Sequence, residues 1–133
     1  MKTRRLKALA NFMGRYEDDP EQLFQLETNL LRDTLLQVHG IGPETADSMI
    51  CYAAHRPMFV VDAYTKRLFH RLGWLGEKAS YATIQTLVHQ ALPRDAHQLG
   101  ELHALIVQHA KQHCRAKPVC LSCPLSFCPA YGR

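Results

Sequence analysis

Apolar residues recur at three- and four-residue intervals along most of this chain. Leu6, Leu9, Phe12, Met13 and Tyr16 form one stripe, Leu23, Leu26, Leu30 and Leu31 a second, and Ile84, Leu87, Val88, Ala91 and Leu92 a third. A period near 3.6 residues predicts amphipathic helices that each turn one face to a core. The stretch from Asp95 to about His113 continues the pattern through Leu99, Leu102 and Ile106, with Asp95 placed to cap it. Pro20, Pro57 and Pro93, with Gly40, Gly42 and Gly73, mark breaks between elements. Only Phe59, Val60 and Val61 look strand-like, and three residues are too few to found a sheet. There is no repeat on the scale of a solenoid and no low-complexity linker. The expected class is all-α.

Composition narrows this picture. With 133 residues, 47% of them hydrophobic, the chain is long enough to bury a core of its own. The expected division is a helical domain over residues 1–113 followed by a loop over 114–133 that carries four cysteines. A net charge of +4 suits a polyanionic partner without requiring one. No apolar run approaches the ~20 residues that cross a bilayer, and MKTRRLKALANF lacks the apolar block of a signal peptide. A cytoplasmic protein without a membrane partner is expected. In a reducing compartment, clustered cysteines point to a metal rather than to disulfides.

The middle of the chain reads LLQVHGIGPETADSMICYA. A helix carrying Leu30, Leu31, Leu35 and Leu36 should stop at His39 and Gly40, and a second should start near Pro43 with Glu44 beside its positive end. The result is helix, Gly-Ile-Gly hairpin, helix. Bare backbone at Gly40 and Gly42, followed by a helix N-terminus, can present amide groups to a phosphate, while Ile41 plugs the hairpin into the core. Taken alone, Gly-x-Gly is more often an ordinary helix connection.

HGIGPETAD followed by FVVDAYTKR resembles the helix-hairpin-helix motif and downstream aspartate of the endonuclease III superfamily of DNA glycosylases. The terminal cysteines resemble that family's iron-sulfur loop, and the likeness runs from roughly residue 3 to residue 128 in the family's order. It implies a helical barrel and a duplex DNA partner, with Asp62 as the catalytic carboxylate. The chemistry is sensible in itself, since an ionised acid stabilises oxocarbenium character at the sugar and orients water. Asp62 is also placed to cap the helix Ala63 to Leu72, and both roles can hold at once. The resemblance further implies DNA contacts from Gly40, Ile41, Gly42, Thr45, Lys66, Arg67, Arg115 and Lys117. Lys66 and Arg67 are expected to be a solvated or phosphate-facing pair.

Family members that also cut the sugar-phosphate backbone carry a lysine in the hairpin pattern Gly-x-Gly-x-Lys-Thr-Ala. Here Glu44 stands at that place, and a carboxylate cannot form the imine that lyase chemistry requires. A monofunctional glycosylase is therefore expected, in the branch resembling 3-methyladenine glycosylases. Tyr52, Tyr64 and Trp74 could stack on a flipped base, yet their helical spacing places them in the core.

The cysteines are spaced Cys114-x5-Cys120-x2-Cys123-x4-Cys128, against the family's C-x6-C-x2-C-x5-C. The resemblance implies a [4Fe-4S] cluster on these four thiolates, organising a loop that presents Arg115 and Lys117. Zinc is the rival, because tetrahedral sulfur ligation suits it equally. Cys51 is expected in the core, while His103, His109 and His113 approach Cys114 and could replace or back up a ligand, with surface positions the stronger expectation. Family members usually have further helices before the segment resembling TRRLKALANFM, so an amino-terminally truncated chain is expected. Leu102, Leu105 and Ile106 should then have lost packing partners. Two other functions stand beside the enzyme: a catalytically incomplete DNA-binding remnant, and a zinc-loop interaction domain.

Overall fold

Local signals start most of the helices. Helix α1 (Lys2–Gly14) buries Phe12 and ends before Glu17 and Asp18, both at positive φ. The Asp19 side chain accepts from the Glu21 amide to open α2 (Pro20–Leu23), and Glu27 accepts from Asn29 and Leu30 to open α3 (Thr28–Leu36). The single stripe expected over Leu23 to Leu31 is thus divided between two helices, because the Glu27 cap interrupts it. Helix α4 (Pro43–Ser48) has its proline at the first turn and runs directly into a π-helical turn, Met49–Ala53. Asp62, Ser80 and Asp95 cap α5 (Ala63–Arg71), α6 (Tyr81–Ala91) and α7 (Ala96–Gln112).

The computed structural model describes residues 1–132, and no strand occurs among them. The all-α expectation is met. Two apolar clusters form the interior. One gathers α1 to α4 around Phe12, Leu31, Leu35 and Ile50, and the other gathers α5 to α7 around Phe69, Ile84, Leu99 and Ile106.

The strand-like segment joins the two clusters. Met58 and Val60 belong to the first, while Phe59 and Val61 belong to the second. An extended chain sends alternate side chains to opposite sides, so period-2 apolarity here serves two cores rather than a sheet. With no neighbouring strand, the backbone of this segment is satisfied by side chains of α6. Phe59 N–H donates to His89 Nε2 at 3.0 Å, Gln85 Nε2 donates to Phe59 O at 2.8 Å, and Val61 N–H donates to the Tyr81 hydroxyl at 3.3 Å.

Several expected core positions lie outside. Leu6 and Leu30 are exposed, because the stripes assigned from spacing are wider than the faces these short helices bury. Trp74 is 57% exposed and Tyr52 47% exposed, while Tyr64 is half-buried. Of the α7 trio, Leu105 is exposed, Leu102 half-buried and Ile106 buried against the second cluster. Trp74, Leu87, Leu92 and Phe127 line an apolar groove over that cluster.

Candidate functional site

The Gly-Ile-Gly hairpin forms as expected between α3 and α4. Gly40 takes a φ of +92°, in the left-handed region where a Cβ is strained, and an added Cβ would stand 2.6 Å from Arg5 Cγ. Gly42 has open space around it and is the N-cap of α4. Ile41 packs against the first cluster and donates its amide to Val38 O. Glu44 and Thr45 are exposed on the first turn of α4.

Behind the hairpin lies a charged network that the sequence reading did not single out. Asp47 is fully buried, and Arg32 grips it through Nε at 2.7 Å and Nη2 at 3.1 Å. Tyr81 donates its hydroxyl proton to Asp47 Oδ2 at 2.7 Å, and Gln85 Nε2 donates to the same oxygen at 2.8 Å. Burial and the adjacent Asp47 carboxylate push the Tyr81 hydroxyl well above its ordinary range, so it stays a donor. Tyr81 and Gln85 are also the residues that hold the backbone of Phe59 and Val61. The network therefore ties the hairpin helix to the segment that ends at Asp62. A signal for it exists in the sequence: Asp47 falls on the same helical face as Ala46, Ile50 and Cys51, and an acid on an apolar face needs a partner.

Asp62 caps α5, as the local sequence suggested. Its Oδ1 accepts from Thr65 N–H at 2.8 Å and from Thr65 Oγ1 at 3.0 Å. Its Oδ2 lies 3.0 Å from His103 Nε2, and His103 Nδ1 lies 2.8 Å from the Tyr52 hydroxyl, which also reaches Gly100 O at 2.9 Å. Burial raises the Asp62 carboxyl, but the hydrogen bonds from His103 and Thr65 outweigh it and hold the group below the ordinary carboxylate range. Gly100 leaves room for the Tyr52 ring, since a Cβ there would stand 3.1 Å from Tyr52 Cε1. His103 is thus only partly exposed and engaged with Asp62, contrary to the expectation of a surface histidine. No local spacing announces the contact, because 41 residues separate the partners.

Lys66 is exposed one helical turn beyond Asp62. Arg67 departs from the solvated pair: its Nε and Nη2 both donate to Cys114 O, at 3.0 and 2.8 Å, and its guanidinium lies 5.4 Å from the centroid of the Tyr64 ring. Arg71 continues this clamp with Nη1 3.2 Å from Cys114 Sγ and 2.6 Å from Arg115 O, and Nη2 3.0 Å from Ala116 O. Two arginines of α5 therefore hold the start of the cysteine loop. Arg115 and Lys117 are exposed, with Arg115 Nε donating to Lys111 O.

Cys114, Cys120, Cys123 and Cys128 line one cavity, with His109 and His113 at its wall. Leu125 N–H donates to Cys123 Sγ at 3.4 Å, and Cys123 Sγ lies 3.7 Å from His109 Nε2. His109 is thus half-buried against the loop rather than at the surface, and burial lowers its pKa from the ordinary value. N–H donors aimed at sulfur, and a guanidinium beside Cys114, suit thiolates that ligate a metal group. Among the described residues, no three His, Cys, Asp or Glu side chains converge on a single-ion position. Cys51 lies in the first cluster, as expected.

No family model matches the chain. A Methanocaldococcus jannaschii protein provisionally named DNA repair glycosylase is 44% identical over 131 residues, covering 96% of this chain and 60% of that protein. Endonuclease III of Sulfolobus acidocaldarius is 29% identical over 136 residues, with the same coverage of 96% and 60%. The chain thus spans about three fifths of the length of these relatives. A solved structure of endonuclease III trapped covalently on DNA superposes with a TM-score of 0.68 at 20% identity, covering 93% of this chain and 74% of that one. The helical fold agrees with the sequence relatives. Along nearly its whole length the chain is thus similar to DNA repair glycosylases of the endonuclease III type, and it shares the endonuclease III fold.

Proposed function

We propose that this chain is a DNA base-excision glycosylase that hydrolyses the N-glycosidic bond of a damaged base in duplex DNA and leaves the sugar-phosphate backbone uncut. The observation that carries the reading is Asp62, a carboxylate kept ionised and held at a helix N-terminus by Thr65 and His103. An ionised acid there stabilises positive charge developing on the sugar and orients the attacking water. The hairpin residues Gly40, Gly42 and Thr45 take a phosphate of the duplex on backbone amides, Ile41 seats the hairpin with its own amide on Val38 O, and Lys66, Arg115 and Lys117 add sequence-independent attraction. Arg67 acts differently, holding the cysteine loop in place.

The monofunctional part of the proposal rests on Glu44, which stands exposed where an imine-forming lysine would be required. The stretches GIGPETADSMICY and VVDAYTKR, with Glu44 in the hairpin, are the basis for the 3-methyladenine-like branch, whose substrates carry positive charge and need little help to leave.

The loop over 114–133 is proposed to carry a [4Fe-4S] cluster on Cys114, Cys120, Cys123 and Cys128, with zinc as the alternative metal. The donor set fits: four thiols share one cavity, two of them accepting N–H bonds. When bound, the cluster supplies order to the loop. Arg67 and Arg71 dock that loop on α5, which sets Arg115 and Lys117 on the same body as Asp62.

The test is incubation of the purified chain with duplexes carrying alkylated purines, oxidised pyrimidines or mismatched adenine. Free base is measured before any alkali, and borohydride trapping is run in parallel. Base release without a trapped adduct is expected. An adduct that disappears in Lys66→Ala would show a lyase. Binding without release from any duplex would favour the DNA-binding remnant, a reading supported by the exposed apolar groove at Trp74, Leu92 and Phe127.

A further inference from the structure

Asp62 has an unusual set of partners for a helix cap. A carboxylate offers about four lone-pair sites. Two on Oδ1 are taken by the amide and hydroxyl of Thr65, and one on Oδ2 is taken by His103. A single site remains without a protein partner. The side chains of Asp62 and His103 are only 10% and 17% exposed, so this pair is largely withdrawn from water.

We propose that His103 is the positioning residue for Asp62: its Nε2–H fixes Oδ2, the Tyr52 hydroxyl fixes the imidazole from behind, and the one lone pair left on Asp62 is the one that works. The inference rests on the proposed role of Asp62. A cap made by Thr65 alone would hold Oδ1 and leave Oδ2 with both sites open. His103 removes that freedom.

Proton counting supports the assignment. Gly100 O only accepts, the Tyr52 hydroxyl carries one proton, and a neutral imidazole carries one. Three links join Gly100 O, Tyr52, His103 and Asp62, and each needs its own proton. All three are made together only when the Asp62–His103 pair carries two protons between them, and the more acidic carboxyl gives its proton up first. The geometry thus favours an imidazolium-carboxylate pair, in which Asp62 is kept in the form that supports cleavage. The depressed Asp62 carboxyl accords with this.

The groups that face the chain of bonds come from three elements. The π-helical turn contributes Tyr52 and Cys51, α7 contributes Glu101 near Tyr52 and Lys111 on the wall of the pocket that Tyr52 and His103 share, and on α5 the exposed Lys66 lies one turn beyond Asp62. Of the basic groups among these, neither Lys66 nor Lys111 is paired with Asp62, and His103 is the basic side chain in contact with it.

The test follows the Asp62 carboxyl carbon by NMR as pH is lowered, in the full chain and in folded His103→Ala, His103→Gln and Tyr52→Phe variants. In the native chain Asp62 should titrate below the ordinary range. In His103→Ala its midpoint should rise by about one pH unit or more. His103→Gln keeps a donor at the reach of Nε2 without the charge, so its midpoint should fall between the two. Tyr52→Phe should move the midpoint upward by less. In base release, the acid limb of the pH profile should move with the carboxyl, and kcat should fall while KM for DNA stays within about twofold. A midpoint unchanged in His103→Ala overturns the proposal; if that variant does not fold, an unchanged midpoint in both His103→Gln and Tyr52→Phe does so. If the midpoints move as stated but the native chain releases no base, the positioning stands and the glycosylase reading falls.

Discussion

Replacing Asp47 by alanine should destabilise the chain by about 3 kcal/mol, the lower end of the range for breaking a buried ion pair. The low end follows from what each donor can do afterwards. Arg32 has 26% of its side chain exposed and can regain water, Gln85 retains Phe59 O, and the Tyr81 hydroxyl can turn to Pro43 O at 3.3 Å. What cannot be recovered is the bidentate pair itself and the acceptor that three side chains share. For a domain of this size, about 3 kcal/mol lowers the melting midpoint by about 10 °C. Denaturant titration with Asp33→Ala as control is the assay, since Asp33 is exposed and its loss should stay within about 0.5 kcal/mol. Base release should fall by more than stability alone explains, because Tyr81 and Gln85 also hold the segment that ends at Asp62. At a temperature where Asp47→Ala is fully folded, a loss of about tenfold or more is expected, as small misplacements of a catalytic group are costly. An Asp47→Ala chain within about 1 kcal/mol of the native one would refute the reasoning.

Other expectations concern the hairpin, the pH response and the loop. Gly40→Ala meets both a positive φ and the Arg5 side chain, so it should cost about 1 kcal/mol or more of stability. Gly42→Ala has room for its methyl group; it should melt normally and weaken DNA binding, and a normal affinity would remove Gly42 from the phosphate contact. Because the folded Asp62 carboxyl is depressed, its contribution to stability is complete above the unfolded value of ~3.9 and is lost as pH falls through the folded one. The Asp62 contribution to the stability gap between the native chain and Asp62→Asn should therefore shrink only in stronger acid, as pH falls through the folded value. Cys120→Ser should lower bound iron and sulfide together if a cluster is present, whereas stoichiometric zinc in the native chain would select the other metal.

Periodicity and capping made most helices legible, because they are local. Asp62, Ser80 and Asp95 each stand before an apolar stripe, and Pro43 marks the start of the hairpin helix. The hairpin glycines and the four cysteines were legible for the same reason. What escaped was long-range. His103 meets Asp62 across 41 residues, Arg67 and Arg71 meet Cys114 across 47 and 43, and nothing in their neighbourhoods tells a clamp from a solvated cation. The exposed Tyr52 and Trp74 escaped because helical spacing reports a face and not what covers it. Phe59 to Val61 looked like a failed strand. Its alternation is real, but two cores and the side chains of α6 replace the sheet.

The most direct measurement is single-turnover release of free base by the native chain and by Asp62→Asn, on the duplex that responds best, with DNA affinity measured for both. The account predicts that Asp62→Asn binds DNA with an affinity within about threefold of the native chain and loses release by about a hundredfold or more. Release by Asp62→Asn at a rate close to the native one would contradict it, and would move the chemistry to another residue of the site.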